Sequence, residues 1–570
     1  MSVQEIEITH FHLFAGLGGA AMGFNRGSSR VGNLMAKFRC IGGVDVDASA
    51  MRDFKRLVGV EGTVLDLFDR EQYIAFHGHE PPAGWVEATP QDIQRAAGYE
   101  RPAAVVISAP CKGFSGLLSQ EKSKTAKYQA LNRLTLRGIW LMLEAWSDDP
   151  PELVLFENVP GLSSRGRGLL DQITSLLRSY GYATAETVHD CGELGGLAQS
   201  RKRMLMVARH IEKVPPLLYQ PDKKPLRAVG DILGRMLLPG DERAGPMHRI
   251  PSLAWRTWLR LAFVEAGSDW RSLNKLTVEH GVLRDYLLVP PMHNGVLGVR
   301  RWSDPTGTVT GNARPATGAF SIADVRFEAS ARWHDGQAYG VRRWTEKSGT
   351  VAGQQSPGQG SYCVADGRLA EMGRSNVFRI VQSGQLDAQQ KEAALEVGDP
   401  RSGMDAQREA YRTGGHYGVT RWEDPTGAVS ASAQHDNGRW SVADPRLPGA
   451  DDKLVAVIES LDKTWHRPFT TLELAALQSL VDPEQHLVDA ERSDWERERQ
   501  GAHAPMRFDG DSDSAWRERI GNAIPPAAAQ AIASEMGRTL LLARSGATFQ
   551  LSAAPIWVRP LAVALSVAHT

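Results

Sequence analysis

Cysteine is scarce: the 570 residues hold four, Cys40, Cys111, Cys191 and Cys363, far apart and with no C-x-x-C pair. That excludes a disulfide framework and a zinc knuckle, fits a reducing compartment, and leaves no metal site to expect. Long apolar runs are also missing. None approaches the ~20 residues needed to span a bilayer, and the opening MSVQEIEITH lacks the basic-then-apolar pattern of a secretion signal. The reading is a cytoplasmic protein with no membrane association. Net charge is nearly absent as well, at -1, which argues against indiscriminate nucleic-acid binding and turns attention to local basic clusters. Compositional disorder is excluded too, because 42% hydrophobic and 23% charged residues describe an ordinary globular protein. At roughly 100–200 residues per domain, the length suggests about three units.

The first 210 residues alternate short apolar runs with helix-like segments. FHLFAG, CIGGVDVD, GTVLD, AAVVISAPC, LVLFENV, ATAETVHD and RMLMVAR read as strands. ALNRLTLRGIWLMLEAW and GRGLLDQITSLLRSYG read as helices, the second stopping at Gly181. This alternation predicts a doubly wound α/β sheet of Rossmann type. Residues 213–297 are poorly periodic and read as a linker with some helix, such as SLAWRTWLRLAFVEAG. A repeat follows, in GVRRWSDPTGTVTG (298–311), GVRRWTEKSGTVAG (340–353) and GVTRWEDPTGAVSA (418–431). The copies close on SIADVRF, YCVADGRL and SVADPRL, so each is a small strand-and-turn unit. Beyond them RPFTTLELAALQSL reads as a helix with Thr471 as N-cap, Pro525 and Pro526 open another, and the apolar, proline-broken tail reads as an edge cover or partner contact.

Ligands of open α/β sheets sit outside the carboxyl ends of the strands, which selects the chemistry. FHLFAGLGGAAMGF puts Gly16, Gly18 and Gly19 in a turn after the first strand, where a nucleotide-like cofactor can approach the backbone. Asp45 ends the next strand and Asp66 follows GTVL, so three polar groups at three strand ends suggest an adenosine-containing cofactor; each aspartate could equally cap a helix. Cys111, in SAPCKGFSG, ends one strand and Glu157, in FENVPG, another. A cysteine there is either a small inert core residue or, beside cations, a reactive thiolate. Pro110 and Gly113 frame it in a turn, which favours the second. Arg201 and Arg203 are alternate residues at the start of a further strand and face one way. Basic clusters flank these segments at Lys122, Lys124, Lys127, Arg133 and Arg137, at Arg165 and Arg167, and at Arg201, Lys202 and Arg203; any one alone reads as solvated surface.

In this order the segments resemble the DNA cytosine-5 methyltransferase family. FAGLGG is similar to its cofactor loop, SAPCKGFSG to its P-C nucleophile motif, FENVPG to its E-N-V motif and QSRKR to its Q-x-R-x-R motif. RPFTTLELAALQSL and IGNAIPP resemble its C-terminal helix and its return segment; the likeness covers about residues 8–210 and 465–540. It implies Cys111, Glu157, Arg201 and Arg203 as catalytic residues. It further implies S-adenosyl-L-methionine as cofactor, held by Phe14, Gly16, Leu17, Gly18, Gly19, Asp45, Val46, Asp66, Leu67 and Asn522. Arg203 would hold the base and Glu157 in register, with Arg201 and Gln199 supporting it. The chain departs from the family at Lys112, where glutamine is usual, at Ala109, where proline is common, and at Asp45, where glutamate is usual.

The organisation so implied is a catalytic domain over 1–212, a linker over 213–297, a target-recognition region over 298–464, a return to the catalytic domain over 465–544 and a tail over 545–570. The partner implied is double-stranded DNA, with a cognate restriction endonuclease as a candidate and a monomer or weak dimer expected. Stacked repeats would either pack on one another or enlarge a DNA-reading surface through Arg300, Arg301, Arg342, Arg343 and Arg421. An RNA cytosine-5 methyltransferase, a different transferred group, and an inactive DNA-binding regulator stand as alternatives.

Overall fold

The computed structural model describes residues 2–110, 125–216, 218–279, 282–283, 287–289, 299–301, 321–323, 341–343, 363–365, 377–382, 400–401, 415–431, 433–448, 457–483, 506–546 and 556–558. The chain divides into two compact units: the first is Met1–Pro251, Thr420–Trp440 and Pro468–Thr570, the second Ser252–Val419 and Ser441–Arg467. Residues 213–251 and the turn of the third repeat fall in the first unit, where main-chain bonds tie them together: Val229 N donates to Asp424 O at 2.9 Å and Gly230 N to Trp422 O at 2.9 Å.

All seven strands read from the sequence exist, and an eighth joins them. They are β1 (Gln4–Leu13), β2 (Ser28–Val31), β3 (Leu34–Asp45), β4 (Gly62–Val64), β5 (Ala104–Ile107), β6 (Leu153–Asn158), β7 (Tyr182–Asp190) and β8 (Lys202–His210). The sheet runs β2-β3-β1-β5-β6-β8-β7, with β4 also on β3. Strands β3, β1, β5 and β6 are parallel, whereas β8 runs antiparallel to β6 and β7 antiparallel to β8. The chain builds outward from β1 to β3 and β4, then returns to β5 on the other side. The switch point therefore lies between β1 and β5, where an α/β sheet opens a crevice for a ligand. Because β8 is antiparallel, its first residues reach the same rim as the last residues of β6.

The strands are apolar on both faces, as buried parallel strands must be. Val105, Ile107, Val154, Phe156, Met204 and Met206 pack on one side with Leu134, Ile139, Leu170, Ile173 and Leu177 from helices Ala126–Ala145 and Arg167–Ser179. Ala104, Val106, Leu153, Leu155, Leu205 and Val207 pack on the other. That second face is covered by helix Pro526–Ser545, through Ile532, Met536, Leu540 and Leu541. Each such side chain contributes about 1.5–3 kcal/mol by leaving water. Helices on both faces make the unit an α/β domain of Rossmann type.

Close backbone approach locks the C-terminal helix to the start of the chain. A Cβ on Gly23 would lie 2.3 Å from Pro526 O and 2.5 Å from Ala529 Cβ; one on Gly19 would lie 2.5 Å from Ile524 O. These two glycines are there for packing. The helix Thr471–Leu477 is capped by Thr470, not Thr471 as expected. Thr470 Oγ1 accepts from Glu473 N at 3.2 Å and Glu473 Oε2 from Thr470 N at 2.8 Å, a reciprocal box that Thr471 could not make. Thr471 Oγ1 donates to Asp513 Oδ1 instead, at 2.8 Å. The expected stop at Gly181 is present, with φ 81°. In the tail, Ile556–Val558 pairs antiparallel with Leu218–Tyr219.

The second unit holds most of a six-stranded sheet and the first two repeats. Its core stacks Trp258 on Trp465 at 6.2 Å, and buried Asp444 pairs with Arg467 at 2.7 Å. In the first two repeats the opening strand pairs parallel with the closing segment of its own copy, Val299 opposite Ser321 and Val341 opposite Cys363. In the third, Val419–Thr420 neighbours Ser441–Asp444 in the larger sheet.

Gly23→Ala is expected to lower stability by about 1–3 kcal/mol, because overpacking against Pro526 outweighs the helix propensity gained. An unchanged or raised urea midpoint would show that the helix can move aside.

Candidate active site

The turn after β1 is held in an uncommon backbone shape. Phe14, Gly16 and Gly18 all have positive φ, at 54°, 52° and 91°. Phe14 bears this without being glycine, a strain typical of ligand-facing turns; a Cβ on Gly138 would lie 2.9 Å from its ring. Of the three turn glycines only Gly16 faces free space, with no heavy atom within 4 Å of a Cβ placed there. Gly18 instead packs toward Val58 and Phe54, and Leu17 is buried.

Asp45 braces this turn. Its Oδ2 accepts from Gly16 N at 2.9 Å and its Oδ1 from Asp47 N at 3.0 Å. Burial pushes its carboxyl pKa up against the hydrogen bonds that lower it. A carboxylate offers about four acceptor positions, so two remain for hydroxyl donors. Val46, beside it, is 64% exposed, an apolar surface next to a polar one. Asp66 is turned to protein groups, Phe68 N at 3.0 Å and the Trp85 indole at 3.2 Å. Leu67 is buried, its carbonyl accepting from Arg137 Nε at 3.1 Å, and Asn522 is exposed at the end of helix Asp513–Asn522.

Glu157 and Arg203 meet at the rim where β6 ends and β8 begins. Arg203 Nε lies 2.8 Å from Glu157 Oε1, both side chains largely buried, and Arg203 Nη1 donates to Lys202 O at 2.8 Å. Next to Glu157, Asn158 Nδ2 donates to Ala109 O at 3.4 Å and its Oδ1 accepts from Val159 N at 2.8 Å. Asn158 thus ties the end of β5 to the end of β6, a role the sequence did not suggest. Cys111 and Lys112, with the rest of 111–124, lie outside the described residues. The two cysteines described as free are buried. Burial pushes the thiols of Cys40 and Cys191 up to about 12, the protonated, inert state.

Arg201 does not join Arg203. Its side chain is 1% exposed and forks onto main-chain carbonyls, Val429 O at 2.9 Å, Gly521 O at 2.8 Å and Ala523 O at 3.0 Å. Arg201 therefore holds main-chain segments around the start of β8, while Arg203 reaches Glu157. Buried Gln199 works with it, accepting from Val429 N at 3.2 Å and donating to Leu477 O and Gln478 Oε1, each at 3.2 Å. Gln478 in turn donates to Ile520 O at 2.6 Å and Ala523 O at 2.8 Å. The turn of the third repeat completes this junction, with Ser200 N donating to Thr426 O and Thr426 N to Ala198 O, both at 3.0 Å.

Several of the basic residues are used internally. Arg137 bonds Leu67 O and Ala88 O, Arg167 pairs with Asp171 and Glu186, and Arg421 pairs with Asp424 at 2.7 Å. For these the solvated or structural reading holds. Arg133 and Lys202 are exposed.

A Rossmann-type α/β sheet thus carries a strained glycine turn, a bracing carboxylate and a largely buried Glu–Arg pair along one rim, where ligands of such sheets sit. Residues 83–240 match the model of the C-5 cytosine-specific DNA methylases. No curated protein matches the chain significantly. Solved structures similar to it include Entamoeba histolytica methyltransferase EhMeth, at 9% identity over 94% of this chain and 98% of that one, with a TM-score of 0.39. A prophage-encoded Escherichia coli protein described as a DNA modification methyltransferase has 13% identity, coverage of 94% and 99%, and a TM-score of 0.38. S. pombe Dnmt2 methyltransferase has 12% identity, coverage of 94% and 99%, and a TM-score of 0.34.

Arg201→Met is expected to cost about 3–5 kcal/mol, because it strands three buried carbonyls, and Arg201→Lys should recover little, since an ammonium cannot fork. Denaturation midpoints of the two variants against Arg203→Lys check this. A stable Arg201→Met protein would remove the structural role.

Proposed function

We propose that this chain transfers a methyl group from S-adenosylmethionine to C5 of a flipped-out cytosine in double-stranded DNA, through a covalent bond between Cys111 and C6. The observation that carries the reading is the buried Glu157–Arg203 pair, on the strand next to the one that leads into Pro110 and Cys111. The residues of the first turn fit the adenosine half of the cofactor: free space over Gly16, acceptor positions on Asp45 for ribose hydroxyls, and exposed Val46 for a ring face. When bound, the cofactor supplies an electrophilic methyl group on a sulfonium.

The protein's own residues make cytosine reactive. Cytosine C5 is a poor nucleophile until something adds at C6. Cys111, as thiolate, forms a bond to C6 while Glu157 gives a proton to N3, so that ring charge is neutralised as the adduct forms. Arg203 fixes the carboxyl group of Glu157. C5 of the adduct is then nucleophilic; after it gains the methyl group and gives its proton to solvent, the Cys111–C6 bond breaks, thiolate returns, and N3 returns its proton to Glu157. Asn158 holds the two strand ends at a fixed spacing, and Arg201 holds the segment that carries Arg203. Since C5 and C6 are stacked inside a duplex, the base must be extruded to react. The lysines of 111–124 are suited to DNA phosphates. The repeats form the recognition region and enlarge its reading surface, with Arg300, Arg301, Arg342 and Arg343 as contacts to phosphate or guanine.

Nucleoside mass spectrometry after incubation with duplex DNA, and separately with structured RNA, is expected to find 5-methylcytosine in the DNA. Methylation of RNA alone would make the substrate RNA, a larger mass gain would mean another transferred group, and no product would leave a binding protein. Cys111→Ser should lower the rate by about three orders of magnitude or more; full activity in that variant would rule out the covalent route.

Deletion of residues 340–417 is expected to weaken DNA affinity or change the cytosines modified. Unchanged affinity and unchanged site choice would remove the repeats from recognition.

A further inference from the structure

His10, His12 and Cys40 form a buried group that no step above uses. Each is at most 2% exposed, and one ligating atom from each lies within 4.8 Å of the others. The strands bring them together directly. His10 and His12 are two apart on β1 and so share a face, and His10 is the register partner of Cys40 on β3, just before the register shifts.

The hydrogen bonds fix which atoms are available. Asn25 Oδ1 accepts from the main-chain N of Cys40 at 2.9 Å, so that atom is the amide oxygen, and it also faces His10 Nε2 at 3.0 Å. Nε2 of His10 must therefore carry the proton, and Nδ1 presents its lone pair, 2.8 Å from His12 Nε2. A histidine whose far nitrogen is held by an oxygen acceptor is the arrangement found at metal ligands. Phe24 and Phe38 wall the group, with ring centroids 5.3 Å and 6.2 Å from that of His10. Burial holds His10 neutral, its pKa brought down to about 3, and drives His12 the same way. Neutral imidazole is the ligating form.

We propose that His10, His12 and Cys40 bind a monovalent thiophilic d10 cation, of which Cu+ is the type. Two nitrogens and one sulfur suit a soft ion. Among the described residues no fourth His, Cys, Asp or Glu belongs to the group; three protein donors complete a trigonal d10 centre, whereas Zn2+ would need a fourth ligand from solvent, which the walls of Phe24 and Phe38 disfavour. One thiolate balances one positive charge, and a buried site tolerates no surplus. Binding releases the Cys40 thiol proton to solvent and moves the His12 proton from Nε2 to Nδ1. The two facing nitrogens must part to about 3.5 Å, the spacing set by bonds of about 2.0 Å at a trigonal centre. The ion joins β1 to β3 immediately below the strained turn at Phe14.

The test uses the full chain with Cys111→Ser, so that the thiol in the proposed active site does not compete. Under anaerobic conditions Cu+ is titrated against bicinchoninate, and Zn2+ against a pyridylazo dye. One equivalent of Cu+ withheld from the chromophore, with near-ultraviolet thiolate-to-copper absorption, is expected; Cys40→Ala and His12→Ala should each abolish it. Asn25→Ala, which leaves all three ligands in place, should weaken binding about 10–100-fold. Complete loss of Cu+ to bicinchoninate, retention of the equivalent in Cys40→Ala, or retention of Zn2+ in place of Cu+ would each overturn the proposal. None of these readings depends on methyl transfer.

Discussion

The guanidinium of Arg201 is the constraint on which the first unit depends. A charge taken out of water must be surrounded by acceptors, and this one finds three main-chain carbonyls from two distant stretches of chain, at Val429, Gly521 and Ala523. Only a planar fork with fixed donor directions can serve both at once. The result is a junction in which the start of β8, the turn of the third repeat, the helix over Thr471–Leu477 and the segment into Pro526 have one mutual arrangement. Gln199 and Gln478 complete it, each both donating and accepting inside the same dry volume.

The geometry of the reacting groups follows from that junction. Arg203 lies two residues from Arg201, so the backbone that carries it is pinned from behind, and its side chain is left with one direction, toward Glu157. On the other side of Glu157, Asn158 ties β6 to Ala109. A carboxyl group fixed by an arginine on one flank and by its own strand on the other keeps one orientation at the rim. The glycine turn is held by separate means. Gly19 and Gly23 let the C-terminal helix approach to backbone contact, while Asp45 holds the Gly16 amide. The two halves of the crevice thus share one support, the return of the chain over 520–545.

Much of this was legible in the sequence, and the reasons are local. Each strand of the sheet except β2 declares itself as a short apolar run, and Glu157, Arg203 and Asp45 stand at strand ends, where the crevice must be. What was not legible depends on partners hundreds of residues away. Gly16, Gly18 and Gly19 look alike in the sequence, yet only Gly16 faces free space, because the other two are filled by Val58 with Phe54 and by Ile524. Arg201 and Arg203 share a face by periodicity, but periodicity cannot say which acceptors await each. Thr470 and Thr471 are adjacent candidates for one cap; the presence of Glu473 three residues after Thr470 was the signal that separates them.

The repeats show the same limit in its sharpest form. Three copies of nearly one sequence could be recognised without a structure, but not that the turn of the third belongs to the first unit. The reason is physical: its docking uses main-chain groups, the N and O of Thr426 and Val429 and the carbonyls of Trp422 and Asp424. Every copy has such groups, so the discriminating information lies on the other side, in Gln199, Arg201 and in Gly230, where a Cβ would stand 2.3 Å from Trp422 Nε1. A docking surface read by backbone leaves no mark on the segment that docks. It is recorded only in the surface that receives it.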